Sequence, residues 1–168
     1  MNIKSDSRKI KKGDTFVALK TLQHDGHDYV DDAIKRGATK VVVDHGLYDV
    51  ETIVVEDTKE YLIQMLKEEY YDQIKDLNLI GMTGTNGKTT TCFCIHEALN
   101  NHGMKCGYIG TLGFYIKDKI CDLPNTTPEI TDMYEMLLTC RDKNCKVVVM
   151  EVSSHALSMK RVSGLEFN

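Results

Sequence analysis

Thr83-Gly84-Thr85-Asn86-Gly87-Lys88-Thr89-Thr90 is the stretch that decides how this chain folds. Ahead of it the apolar run 77–82 reads as a short buried strand. Behind it, 91–102 reads as a helix with Cys92, Ile95 and Leu99 on one face and Gly103 as its C-terminal stop. Strand, glycine-bearing loop and helix in that order make a phosphate cradle. The glycines let backbone N–H groups approach phosphate oxygens, and the helix N-terminus adds partial positive charge. Lys88 then reaches the outer phosphates, and the Thr89 hydroxyl is placed to ligate Mg²⁺. The spacing departs from the general G-x-x-x-x-G-K-[ST] pattern, whose first glycine would fall on Met82; here the earlier glycine is Gly84. A plain Gly/Asn turn before a surface helix is the alternative, and the strand-loop-helix context counts against it.

The chain has 168 residues, enough for one domain or two small ones with real apolar cores. A net charge of −4 argues against a general nucleic-acid binder, which carries a basic face. The first twelve positions are polar and charged, unlike a signal peptide, and no apolar run is long enough to span a membrane. The six cysteines form no C-x-x-C pair and no zinc-finger spacing. They read as free thiols in a reducing compartment, which makes the expected location cytoplasmic.

Short apolar runs alternate with amphipathic stretches along the first part of the chain. Residues 14–19, 41–43 and 53–55 read as strands. The segment 20–28 crowds Gln23, His24, Asp25 and His27 around Gly26, as a plain turn or a ligand-contacting loop. Residues 29–36 read as a helix with Tyr29, Val30, Ala33 and Ile34 inward and Gly37 as its stop. Asp57 with Glu60 forms a capping-box start for a helix that runs to about Tyr71, with Leu62, Met65 and Leu66 inward. This predicts a small α/β domain over 1–76 and a second domain over 77–168.

In the second part, 106–109 reads as a strand, with Gly107 and Gly110 allowing close approach of neighbouring backbone, and 114–120 as a small hairpin. Thr127 suits an N-cap and Pro128 the first helical position. Ile130, Met133, Tyr134, Leu137, Leu138 and Arg141 then recur at helical spacing. The continuous apolar run Val147-Val148-Val149-Met150 marks a strand buried on both faces of a parallel sheet. Glu151 ends it, and ligands of such sheets bind beyond the carboxyl ends of the strands. A carboxylate there suits Mg²⁺, which takes hard oxygen ligands, together with Thr89. Ser153-Ser154-His155 lacks a nucleophile elbow and reads as a donor cluster lining a cleft. Arg161 is placed to meet an anionic group by a charge-assisted bond.

These residues carry a family resemblance. Thr83–Thr90 resembles the nucleotide loop of the Mur ligases, the ATP-dependent amide-bond-forming enzymes of peptidoglycan synthesis, whose loop has the same displaced glycine. Asn125-Thr126-Thr127-Pro128, Met150-Glu151-Val152-Ser153-Ser154-His155-Ala156-Leu157 and Arg161-Val162 are similar to the members that add the third residue of the stem peptide. Asp6-Ser7-Arg8, the stretch 13–18 and Asp25-Gly26 resemble their N-terminal domain. The resemblance implies a small N-terminal α/β domain that binds the UDP part of UDP-MurNAc-L-Ala-D-Glu, through Ser7, Gln23 and His24. It implies that the first part of a P-loop parallel-sheet ATP-binding domain follows.

There Gly84, Thr85, Asn86, Gly87, Lys88, Thr89 and Thr90 would hold ATP. Lys88 and Glu151 would be catalytic, and Thr89 and Glu151 would hold Mg²⁺. Asn125, Thr126, Thr127, Ser153 and Arg161 would contact the muramyl-peptide, whose D-Glu carboxylate becomes an acyl-phosphate before a diamino acid attacks. Family members are far longer, so the expectation is a fragment that lacks the C-terminal part of the enzyme and does not ligate alone. The choice between meso-diaminopimelate and L-lysine is expected to lie outside it, and apolar surface near 165–167 to favour self-association. Two other readings remain: a different P-loop kinase or ATPase, and a non-catalytic nucleotide-binding module.

Overall fold

Alternating β-branched runs and amphipathic stretches produce two compact α/β units, Met1–Leu66 and Lys67–Asn168, in the computed structural model. It describes residues 1–21 and 24–168. In the first unit, β1 (Ile3–Lys4), β2 (Thr15–Val17), β3 (Lys40–Val43) and β4 (Glu51–Val54) lie side by side in that order, all parallel. Helix α1 (Val30–Arg36) crosses between β2 and β3, as a parallel pair requires. Phe16, Ala18, Val30, Ala33, Val41 and Val43 form one buried cluster, which Ile10 joins.

Two details differ from the sequence reading. The polar opening segment contains β1, because Ile3 and Ile10 are buried amid their charged neighbours. Tyr29 is 46% exposed, since it ends a 3₁₀ turn (Gly26–Tyr29) and the helix begins only at Val30. Helix α2 (Thr58–Ile74) is capped by Asp57, whose Oδ1 accepts the N–H of Lys59 at 2.9 Å and of Glu60 at 3.0 Å. It carries the division between the two compact units within it.

The second unit is built from β5 (Asn78–Met82), α3 (Lys88–Asn101), β6 (Cys106–Gly110), β7 (Gly113–Ile116), β8 (Asp118–Cys121), α4 (Ile130–Asp142), β9 (Val147–Glu151) and α5 (Ser154–Ser158). The sheet order is β5-β9-β6-β7-β8, parallel across the first three and antiparallel thereafter. Strand β9 lies between two parallel neighbours and is buried along its whole length, which accounts for its unbroken apolar run. Each such Val or Met contributes about 1.5–3 kcal/mol by leaving water. A Cβ on Gly107 would stand 2.6 Å from Cys140 Sγ, so the glycine admits α4 against β6.

Helix α3 begins at Lys88, earlier than the expected Thr91, because Gly87 at φ +80° starts it directly from the loop. Its buried face is Cys92 and His96, with Ile95 and Leu99 only half-buried. The His96 ring lies among Phe93, Tyr108 and Tyr115. Asn100 ties the helix to β6, its Nδ2 donating to the Cys106 carbonyl at 3.0 Å and its Oδ1 accepting from Cys106 N–H at 3.2 Å. Helix α4 begins at Ile130 with Glu129 at its N-cap, so Thr127 and Pro128 do not open it as expected. No helix among the described residues is long and apolar enough to cross a membrane.

His96 is fully buried, and its Nε2 has no hydrogen-bond partner among the described residues. Burial holds its pKa below the ordinary 6.5. The unfolded chain then takes up a proton at higher pH than the folded one. Stability is therefore full above about pH 6.5 and falls as the pH drops from there towards the lowered folded value. Urea unfolding between about pH 7.5 and about pH 5.5 should show this loss, and His96→Phe should flatten that part of the curve.

Candidate nucleotide and metal site

The site lies where β5, α3 and β9 meet. Residues 83–87 leave β5 as an exposed loop, with Gly84 at φ +148° and Gly87 at φ +80°. Side chains rarely adopt this left-handed half of backbone space, so both turns favour glycine. Lys88 Nζ donates to the Gly84 carbonyl at 2.6 Å and so folds back over the loop it follows. Gly84, Thr85, Asn86, Gly87 and Thr90 are exposed around this turn.

Thr89 and Glu151 come together beneath the loop, the Thr89 hydroxyl donating to Glu151 Oε2 at 2.8 Å. Glu151 is only 1% exposed at the end of β9. A bare carboxylate in such a place would cost many kcal/mol, so its partners decide whether it can stand there. Oε1 accepts from the Tyr108 hydroxyl at 2.5 Å and from Thr111 N–H at 2.8 Å. Oε2 accepts from Thr111 Oγ1 at 3.2 Å as well as from Thr89. Gly110 makes the arrangement possible, because a Cβ there would collide with Glu151 Oε1 and the Tyr108 hydroxyl.

Neighbouring groups respond to this charge. Burial first, and the Glu151 hydrogen bond second, push the Tyr108 phenol well above its usual range, so it stays a donor. Burial, then the Glu151 charge, push the Cys92 thiol up to about 11, which leaves it unreactive. The Thr89 and Glu151 oxygens are hard donors. Their 2.8 Å separation suits neighbouring positions on an octahedral Mg²⁺, which lie about 2.9 Å apart when each bond is near 2.05 Å.

The residues expected to meet substrate have varied surroundings. Thr127 is buried, its hydroxyl donating to the Glu151 carbonyl at 2.8 Å and accepting from Ser153 N–H at 3.1 Å. Thr126 Oγ1 stands 3.1 Å from Thr111 Oγ1, and Asn125 is exposed. Ser153 caps α5 by accepting Ala156 N–H at 3.1 Å. Arg161 pairs with Glu129 at 2.6 Å and donates to the Thr127 carbonyl at 3.1 Å, so its charge is already matched. In the first unit, Ser7 is buried with its hydroxyl bonded to the Asp32 carboxylate, and His24 is exposed. Gln23 lies outside the described residues.

Comparison with known proteins gives the family. The pattern described as "Mur ligase middle domain" matches residues 82–168, and "Mur ligase family, catalytic domain" matches 1–70. The chain belongs to the Mur ligase family.

Among curated Mur ligases, the UDP-N-acetylmuramoyl-L-alanyl-D-glutamate–2,6-diaminopimelate ligase of Clostridium perfringens is 42% identical over 99% of this chain and 35% of its own length. The protein of that name from Coxiella burnetii is 36% identical, again over 99% of this chain and 35% of its own. A solved structure of such a ligase superposes with a TM-score of 0.81 at 27% identity, over 99% of this chain and 34% of that one. The MurF ligase of Thermotoga maritima, solved in complex with ADP, shares the fold at a TM-score of 0.63 and 22% identity, over 91% of this chain and 32% of its own. The chain thus spans about a third of the length of the Mur ligases it matches.

Tyr108 and Thr111 escaped the sequence reading of this Mur ligase chain, although Gly110 marked the place where something comes close. Removing one donor from a buried carboxylate costs about 1.5–3 kcal/mol. Tyr108→Phe should therefore lower the unfolding free energy of the chain by that amount in urea titration, with no change of secondary structure by circular dichroism. An unchanged midpoint would mean that the phenol does not support Glu151.

Proposed function

We propose that this chain forms the nucleotide- and UDP-substrate-binding part of an ATP-dependent ligase. That enzyme would join 2,6-diaminopimelate to UDP-MurNAc-L-Ala-D-Glu in peptidoglycan synthesis. The observation that carries the reading is the 2.8 Å bond between Thr89 and Glu151, which joins the glycine loop to the end of β9. The names of the curated relatives supply the substrates. A compartment that holds these nucleotide substrates would be the cytoplasm, and the unpaired state of all the cysteines agrees with that.

In this reading the N–H groups of Gly84–Gly87 and the start of α3 cradle the phosphates, and Lys88 exchanges the Gly84 carbonyl for a phosphate oxygen. Thr89 and Glu151 hold Mg²⁺, with Thr90 beside them at the start of the helix. Bound ATP and Mg²⁺ supply the phosphoryl group and neutralise its charge. Tyr108 and Thr111 hold the Glu151 carboxylate aimed at the loop. Asn125 and Thr126 offer polar groups to the muramyl-peptide, while Thr127, Ser153 and Arg161 hold the loop that carries them. Ser7, Gln23 and His24 are assigned to the UDP end, in a first domain closing at Asp76.

Two measurements test this. Lys88→Ala should weaken Mg·ATP binding by the chain roughly 10–100-fold in calorimetry, the equivalent of one lost charged hydrogen bond. A chimera in which residues 1–168 replace the matching third of the Clostridium perfringens ligase should release phosphate only with both UDP-MurNAc-L-Ala-D-Glu and 2,6-diaminopimelate present. Phosphate release independent of either substrate would overturn the ligase assignment. Unchanged nucleotide binding in Lys88→Ala would overturn the cradle.

A further inference from the structure

The turn around Gly26, singled out in the sequence for its crowd of polar residues, brings His27 against the end of β3. The Asp25 carboxylate accepts the His27 N–H at 3.0 Å and stands 2.6 Å from His27 Nδ1. Asp25 faces Nδ1 and the Asp44 N–H points at Nε2, so the ring proton sits on Nδ1 and Nε2 presents its lone pair.

That lone pair faces the residues that follow β3. Nε2 accepts the Asp44 N–H at 3.0 Å, yet it also stands 3.1 Å from Asp44 Oδ1, which is another acceptor. His45 Nδ1 contacts the same carboxylate oxygen, and the His45 ring stacks on His27 with centroids 4.5 Å apart. His27 Nε2, Asp44 and His45 offer ligand atoms that all lie within 4.8 Å of one another. His27 is 6% exposed, Asp44 33% and His45 69%, so the cluster is anchored on one side and open to solvent on the other.

We propose that His27, Asp44 and His45 form a site for a divalent transition metal of the Zn²⁺ class. Two imidazoles and a carboxylate suit Zn²⁺, Co²⁺ or Ni²⁺, and the open side leaves room for water as a further ligand. Asp25 supplies the carboxylate behind the ligating histidine that orients the ring and fixes its tautomer. A cation at the focus takes the Nε2 lone pair from the Asp44 N–H and replaces the contact between two acceptors with two bonds. The metal would pin the turn 25–29 to the end of β3. Its residues are distinct from Thr89 and Glu151, and the inference does not rest on the ligase reading.

The test uses the 168-residue chain with Cys94→Ser and Cys121→Ser, which removes the exposed thiols as rival ligands. After chelator treatment the chain is titrated with Zn²⁺ and with Co²⁺, in calorimetry and in visible absorption. One equivalent should bind, with the weak visible bands of nitrogen and oxygen ligation for Co²⁺. His45→Ala, at an exposed position that leaves the fold intact, should weaken binding at least about 10-fold. Asp25→Asn should weaken it about 10–100-fold while leaving all three ligands in place. Absence of Zn²⁺ and Co²⁺ binding, or binding that His45→Ala leaves unchanged, would overturn the site.

Discussion

A buried negative charge fixes the second unit. Glu151 sits at 1% exposure because four donors from three stretches of chain converge on its carboxylate. Thr89 comes from the first turn of α3, Tyr108 from β6, and Thr111 from the turn after β6. Each is placed by its own element, yet none of these elements could shift without stranding a charge in a medium that cannot solvate it. The parallel order β5-β9-β6 is the geometry that brings them to one end of the sheet.

The same constraint explains residues with no chemistry of their own. Gly110 is needed because a carboxylate and a phenol occupy the space of its missing side chain. Tyr108 is at once a core ring, edge-on to Phe93 and Tyr115, and a donor at the site. The aromatic cluster around His96 and the carboxylate thus share a residue. Packing on one side of Tyr108 and polarity on the other are settled by a single side chain.

Much of this was legible from the residues in order. The phosphate loop was plain because glycine, lysine and hydroxyl stand between an apolar run and an amphipathic one. The strand at 147–151 was plain because burial on both faces leaves an unbroken apolar signature. Glu151 could be placed near the loop from topology alone. Its other donors could not, since Tyr108 within a strand reads as core and Thr111 as turn. Strand β1 was hidden because a pair of residues carries no period. Thr127 was misread as a helix cap because its sequence context suits one. Its hydroxyl serves a contact with residues distant in sequence, Glu151 and Ser153, which local pattern does not encode.

That last contact gives Glu151 a mechanical position. Its carboxylate is held by Thr89 at the glycine loop, while its backbone carbonyl is held by Thr127, in the loop that also carries Asn125 and Thr126. The next peptide along is held in turn, through Ser153 N–H on the same hydroxyl. One residue therefore joins two loops at the end of a strand. A displacement of the glycine loop that moves Thr89 therefore reaches the loop at 125–127 by way of the Glu151 side chain, which joins the two contacts.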